Sequence, residues 1–257
     1  MNQSFAAPRT SGGLSANALK LIAILAMLVD HIAAGLLPAG EPLTLFMRFI
    51  GRITGPIMFY FIAEGYSHTR NVNSYTLRMA LFALVSYIPY IYYFQKGLPG
   101  ADNFYHFDVI FTLLLGLLAI RARNEIRNPV LKWCAIAVLL LLSTTSDWSY
   151  MGIICILLFD YFRGDFKKQA FAYSIATLIY ILPSVLSPMR TLITGGGFDV
   201  LLLAQSSYRL GMFLPLALLY HYNGRIGKGG AFAKWGFYIF YPAHLVLLAL
   251  IRQFIVS

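Results

Sequence analysis

Four ionisable side chains stand in stretches that are otherwise apolar. Asp30 and His31 interrupt LKLIAILAMLVDHIAAGLL, and Arg48 and Arg52 interrupt LTLFMRFIGRITGPIMFYFIAEGY. A charge at the centre of a bilayer costs about 2.5–3.5 kcal/mol on insertion scales, so such groups normally face a protein interior and act there. Arg48 and Arg52 are four residues apart and share one helical face, with Gly51 and Gly55 alongside to admit a neighbouring backbone. Asp30 and His31 are consecutive, so on a helix they point about 100° apart. Asp30 is therefore expected to pair with an arginine of the second stretch, leaving the imidazole to face a cavity. An imidazole titrates near neutral pH and suits general-base work; a guanidinium suits an oxyanion or a phosphate. Two chemistries fit equally well. One is acyl transfer, with His31 taking a proton from an attacking amine or hydroxyl and an arginine stabilising the tetrahedral oxyanion. The other is proton-coupled transport.

The elements that must position these groups are membrane spans. Of 257 residues, 59% are hydrophobic, 16% aromatic and 12% charged, with a mean hydropathy of +0.68. The apolar runs are long enough to cross about 30 Å of hydrocarbon and do not alternate with period two, which disfavours a barrel. The chain reads as an all-α, polytopic membrane bundle of about nine helices, near 18–37, 43–66, 75–95, 104–121, 131–145, 148–163, 169–187, 199–221 and 235–255. Residues 1–17 read as a mobile cytoplasmic tail and 18–257 as one integral membrane domain. Cys134 and Cys155 lie inside spans without ligand-like spacing, so neither a disulfide nor a metal site is expected.

The net charge of +10 is explained by orientation rather than by nucleic acid, because cytoplasmic segments collect Lys and Arg. With the N-terminus inside, the inner segments hold Arg9, Lys20, Arg70, Arg78, Arg121, Arg123, Arg127, Lys132, Arg163, Lys167, Lys168, Arg225, Lys228 and Lys234. The outer ones hold Lys96, Arg190 and Arg252, and Arg48, Arg52 and Arg209 are intramembrane. Asp30, His31, Arg48 and Arg52 then share a depth just beyond the membrane midplane. His244 sits near the middle of the last span and reads either as a second candidate or as a hydrogen bond between helices. Arg209 with Gln205 reads as a structural cluster. Asp108 is expected to be hydrated near the outer interface, with His106 and Asp147 at the rim. Glu64 and His68 end the second span. Tyr87, Tyr90, Tyr92, Tyr93, Phe94 and Tyr105 read as an interfacial belt, and RARNEIRNPVLK as a topology signal or a contact to lipid headgroups.

These segments resemble the TraX family of integral membrane proteins, named for the enzyme that acetylates the N-terminus of conjugative pilin. LKLIAILAMLVDHI is similar to that family's opening span. FIGRITGPIMFYFIAEGYSHTRN carries its GR…P…F…EG..HTRN signature, with Tyr75 and Arg78 following. FTLLLGLLAI, YNGRIGK and KWGFYIFYPAHL resemble later parts, so the likeness runs over nearly the whole chain and is weakest over about 125–200. One departure is Asp108, which precedes FTLLLG where a neutral, asparagine-like residue is expected.

The resemblance implies a membrane-embedded acetyltransferase in the bacterial inner membrane. It would move acetyl from cytoplasmic acetyl-CoA to an amine, such as a pilin N-terminus, or a hydroxyl presented at the outer side, with no metal. It implies His31 as the base, Asp30, Arg48 and Arg52 as its setting, and His244 as a second candidate. Arg121, Arg123, Arg127, Arg225 and Lys228 are then placed to neutralise the phosphates of CoA. The partners expected are acetyl-CoA, a pilin-like or other extracytoplasmic acceptor, and lipid. Two other classes remain open. A small proton- or anion-coupled transporter or flippase would use the same charges as a relay. A pilus assembly factor without catalysis would be indifferent to His31→Ala.

Overall fold

The computed structural model describes residues 12–188, 195 and 200–256. Among the described residues eleven α-helices follow in order: α1 Ala16–Leu36, α2 Pro42–Gly51, α3 Thr54–His68, α4 Val72–Phe94, α5 Val109–Glu125, α6 Pro129–Ser143, α7 Ser149–Tyr161, α8 Phe166–Val185, α9 Val200–Ser207, α10 Leu214–Tyr220 and α11 Gly230–Val256. A 3₁₀ segment, Tyr208–Phe213, joins α9 to α10. Strands are absent among the described residues. Arg9, Arg190 and most of the expected tail fall outside them.

Four stretches are long and apolar enough to cross a membrane: Ala16–Leu36, Pro42–His68, Val72–Phe94 and Trp235–Ile255. α6 and α7 are apolar but shorter, at 15 and 13 residues. The outward side chains suit lipid. Leu84, Val130, Trp133, Leu141, Phe171 and Phe254 are between 63% and 83% exposed, and apolar exposure on that scale marks a partner or a membrane.

The chain divides into two compact units. The first comprises Met1–Ile57 with Gly164–Lys234, and the second Met58–Arg163 with Trp235–Ser257. In the first, α1 packs on α2, and the 3₁₀ segment packs on α2 and α8. The Thr54 hydroxyl donates to the Ala23 carbonyl at 2.9 Å and the Tyr173 hydroxyl to the Met212 carbonyl at 2.7 Å, both buried. The start of α1 is held by its own unit. The backbone N–H groups of Ala16 and Asn17 donate to the carbonyls of Arg225 and Ile226 at 2.8 and 3.0 Å, and the Ser15 hydroxyl accepts from Ala18. Helix N-termini leave such donors without intrahelical acceptors, and these bonds supply them. In the second unit α5 packs on α4, α6 and α7. Gly116 and Gly152 allow the approach, since a Cβ on either would overlap Ile156 or Thr112. Thr112 donates to Ser146 at 2.8 Å in the same interior.

Three expected spans differ from what forms. The second, expected unbroken over 43–66, is interrupted at Arg52 and Ile53 between α2 and α3. Pro56 lacks the N–H that would bond the Arg52 carbonyl, and the turn tightens instead, with Ile53 N–H donating to Ile50 at 3.1 Å. The eighth, expected as one helix over 199–221, is α9, the 3₁₀ segment and α10. There Pro215 cannot bond the Gly211 carbonyl, which accepts from Leu214 instead. The fourth begins at Val109 rather than 104, with Asp108 as its N-cap.

Candidate functional site

Asp30 is 6% exposed on α1 and carries the geometry the sequence suggested. Its Oδ2 accepts from Arg48 Nη1 at 3.1 Å and from Arg52 Nη2 at 2.7 Å. Both are charge-assisted, and the four-residue spacing on α2 brings both guanidiniums to one oxygen. Gly51 makes the approach possible. A Cβ there would fall on the Asp30 carboxylate, so α2 reaches α1 only with glycine at this position. Gly211 does the same for the 3₁₀ segment, which lies against the Phe49 carbonyl.

That contact brings in a residue not anticipated from sequence. The Tyr208 ring lies 5.2 Å from the Arg48 guanidinium, 5.4 Å from that of Arg52 and 5.3 Å from that of Arg209. Three cations thus meet one ring and two of them share one carboxylate, which leaves the cluster with excess positive charge. An aromatic next to an intramembrane arginine was the available signal, but the fold had to bring chain positions 48 and 208 together. His31 follows Asp30 on α1 and is buried, 7% exposed. Asp30, His31, Arg48 and Arg52 therefore all belong to the first unit.

His244 belongs to the second. It is 4% exposed on α11, its Nδ1 is 2.9 Å from the Phe240 carbonyl of its own helix, and its ring stacks on Phe240 at 4.9 Å. A carbonyl only accepts, so Nδ1 carries the proton in that bond. This bond of His244 is made one turn back along α11.

The basic residues expected to hold phosphates differ among themselves. Arg121 pairs with Glu125 at 3.1 Å and donates to the Thr76 hydroxyl. Arg123 lies 2.7 Å from Asp160, which also binds Arg163 at 2.5 Å. Asp160 is buried and had not been singled out. Arg127, Arg225 and Lys228 are exposed, and the backbone carbonyls of Arg225 and Lys228 bind the start of α1. Asp108 corrects another expectation. It is 1% exposed, not hydrated, because its Oδ1 caps α5 by accepting from the Phe111 N–H at 2.9 Å. Tyr90 and Tyr93, read as interfacial, are buried within the second unit. No group of three metal-ligating side chains occurs among the described residues.

All-helical architecture, lipid-suited outer faces and a buried carboxylate shared by two arginines define a helical membrane protein with a polar interior. Residues 15–252 match the family described as TraX protein. The chain belongs to the TraX family. It is also similar to the probable fimbrial assembly protein FimC, serogroup H1, of Dichelobacter nodosus, being 31% identical over 250 residues that cover 94% of this chain and 97% of that protein. No solved structure matches it.

Proposed function

We propose that the chain is a multi-pass acetyltransferase of the bacterial inner membrane, acting from acetyl-CoA on an amine or hydroxyl at the outer side. The observation that carries this reading is the sharing of one buried carboxylate oxygen by Arg48 and Arg52, on the residue preceding His31. Asp30 neutralises one of two guanidiniums, so net positive charge stays where an oxyanion would form. The acceptor nitrogen or oxygen attacks the thioester carbonyl and forms the new bond. His31 accepts the proton that the acceptor loses, and arginine stabilises the oxyanion. Collapse breaks the carbon–sulfur bond, and the CoA thiolate leaves and takes up a proton. Acetylating an amine removes its positive charge, which would ease burial of a pilin-like N-terminus in a fibre.

The topology belongs to the same proposal: nine crossings with the N-terminus inside, and a tail shorter than the 17 residues expected, since α1 begins at Ala16. It rests on the distribution of Lys and Arg. The test is transfer of labelled acetyl from acetyl-CoA into a host membrane extract by reconstituted protein. Wild type should transfer label, and His31→Ala and Arg52→Ala should lose roughly a hundredfold or more. Equal labelling by all three removes His31 and Arg52 from the chemistry.

A second reading draws on the relative's name. An assembly factor for fimbriae, holding a pilin in the membrane without catalysis, would keep full pilus output in His31→Ala cells. The acetyltransferase reading expects that output to fall. The interrupted helix at Arg52 and Ile53 supports a third, a transporter, since broken spans place polar backbone at ion sites. Proton-linked flux without acetyl transfer would establish it.

A further inference from the structure

In the second unit, Arg78 is partly buried and set apart from the arginines that meet an acceptor; Arg252, also partly buried, donates to the carbonyls of Tyr92 and Tyr93. Arg121 faces Glu125, and Arg123 and Arg163 share Asp160. Among the described residues no carboxylate lies within ion-pair distance of Arg78. Its Nε is buried without a hydrogen-bond acceptor. Arg78 lies six residues past Val72, about 9 Å along α4, inside a stretch apolar enough to cross a membrane. A cation withdrawn from water there is costly unless an anion accompanies it.

The surroundings are aromatic. The guanidinium lies 5.8 Å from the Tyr75 ring, and its charge acts on the Tyr238 hydroxyl, which donates to the Met79 sulfur at 3.5 Å. Gly65 admits Tyr75, because a Cβ there would stand 2.9 Å from its hydroxyl. Tyr238 stacks on Phe82 with centroids 4.8 Å apart, and Trp235 lies 6.2 Å from Phe82. Trp235 remains 42% exposed, so a flat apolar face stands open beside an arginine with donors to spare.

We propose that Arg78, with Tyr75 and Tyr238, binds the phosphate of an organic phosphate. Arginine presents a planar fork of donors that matches a phosphate, and two hydroxyls flank it. The phosphate has two chemical sources, a nucleotide or a lipid headgroup. The rings of Phe82 and Trp235 favour the nucleotide, because every base has a π-face to lay on them. Naming the nucleotide end of acetyl-CoA rests on the donor proposed above. This assignment moves the phosphate contact away from Arg121 and Arg123, whose charges already meet carboxylates.

The test uses the full chain purified in a phosphate-free detergent, with binding followed by thermal shift. The probes are CoA, adenosine 3′,5′-bisphosphate, pantetheine and a short-chain phosphatidylglycerol. Wild type should bind CoA and the bisphosphate. Arg78→Gln should weaken both by roughly tenfold to a hundredfold, the scale of a lost charge-assisted hydrogen bond, and leave any pantetheine response alone. Arg78→Lys, which keeps the charge and loses the fork, should fall between and serves if the glutamine variant does not fold. Wild-type affinity for every phosphate probe in both variants overturns the site, and acetyl transfer persisting in them would leave the donor reading intact. Stabilisation by the lipid alone, lost in Arg78→Gln, would keep the phosphate site and overturn the nucleotide assignment together with acetyl-CoA as donor.

Discussion

Two buried aspartates among the described residues each hold two arginines, at least one of which also meets a tyrosine ring, and they differ in the elements around the pair. Asp30 lies within α1, and its arginines come from α2 at the break before α3. Arg209 and the Tyr208 ring complete the cluster, and His31 is the next residue along α1. Asp160 lies near the end of α7, with Arg123 from the last turn of α5 and Arg163 just beyond α7. Those arginines sit at helix C-termini, where cations are favoured by the helix dipole as well as by the carboxylate. Ion pairing alone therefore does not mark a functional centre. One carboxylate shared by two guanidiniums leaves surplus positive charge at both places; a broken helix, a third arginine on the same tyrosine ring and an adjacent imidazole are what distinguish Asp30 among the described residues.

The largest effects should come from removing either carboxylate. Asp30→Asn leaves two partly buried guanidiniums without a counter-ion and should cost about 3 kcal/mol or more, the scale for breaking a buried pair. Asp160→Asn leaves Arg123 partly buried and Arg163 exposed and should cost about 1–3 kcal/mol. Chemical denaturation in micelles would measure both. Near-zero cost at Asp160 would mean that its arginines are solvated, and the comparison would lose one arm.

Next come the glycines that allow close approach. Gly51→Ala places a methyl group on the Asp30 carboxylate and should cost about 1–3 kcal/mol through overpacking, with the Arg52 pairing disturbed. Gly164→Ala meets nothing within 4 Å, but its φ of +90° strains any side chain, so it should lose stability without affecting the site. Thermal unfolding alongside acetyl transfer would separate the two. Loss of activity from both would erase the distinction.

A smaller effect is expected at Tyr208. Tyr208→Leu removes a ring shared by three guanidiniums and should cost about 0.5–2 kcal/mol, whereas Tyr208→Phe keeps the ring and loses only the hydroxyl. A denaturation series in which leucine and phenylalanine behave alike would show that the ring face contributes nothing. Asp165 should give the smallest effect. It caps α8, and the Lys168 backbone N–H holds its carboxyl below the usual carboxylate range. A depressed carboxyl stabilises the fold above its unfolded pKa, and that contribution fades as pH falls through the folded value. Asp165→Asn should therefore reduce the acid sensitivity of stability slightly and leave neutral-pH activity unchanged.

The Asp30 pairing was legible because it rests on local rules. An intramembrane charge is costly, four-residue spacing fixes a face, and adjacent glycines predict close approach. Tyr208 and Asp160 were not legible, since Tyr208 meets Arg48 and Arg52, and Asp160 meets Arg123, across separations that only the fold closes. The interruption at Arg52 was half-legible. Pro56 was in view, yet its effect depends on register, four residues beyond the carbonyl it leaves without a donor. Asp108 misled for a related reason. Its position near a span's end suggested water, whereas capping α5 gives it a backbone partner inside the protein. The nine runs of sequence hydropathy likewise could not show that Pro215 would divide the eighth into three short pieces.

The central claim is that the Asp30 cluster performs chemistry while the Asp160 cluster serves only the fold. It is tested most directly by the initial rate of acetyl transfer per folded molecule in Asp30→Asn and Asp160→Asn, at a temperature where both remain folded. The account expects a loss of tenfold or more for Asp30→Asn and a wild-type rate for Asp160→Asn. Equal rates in the two variants would contradict it.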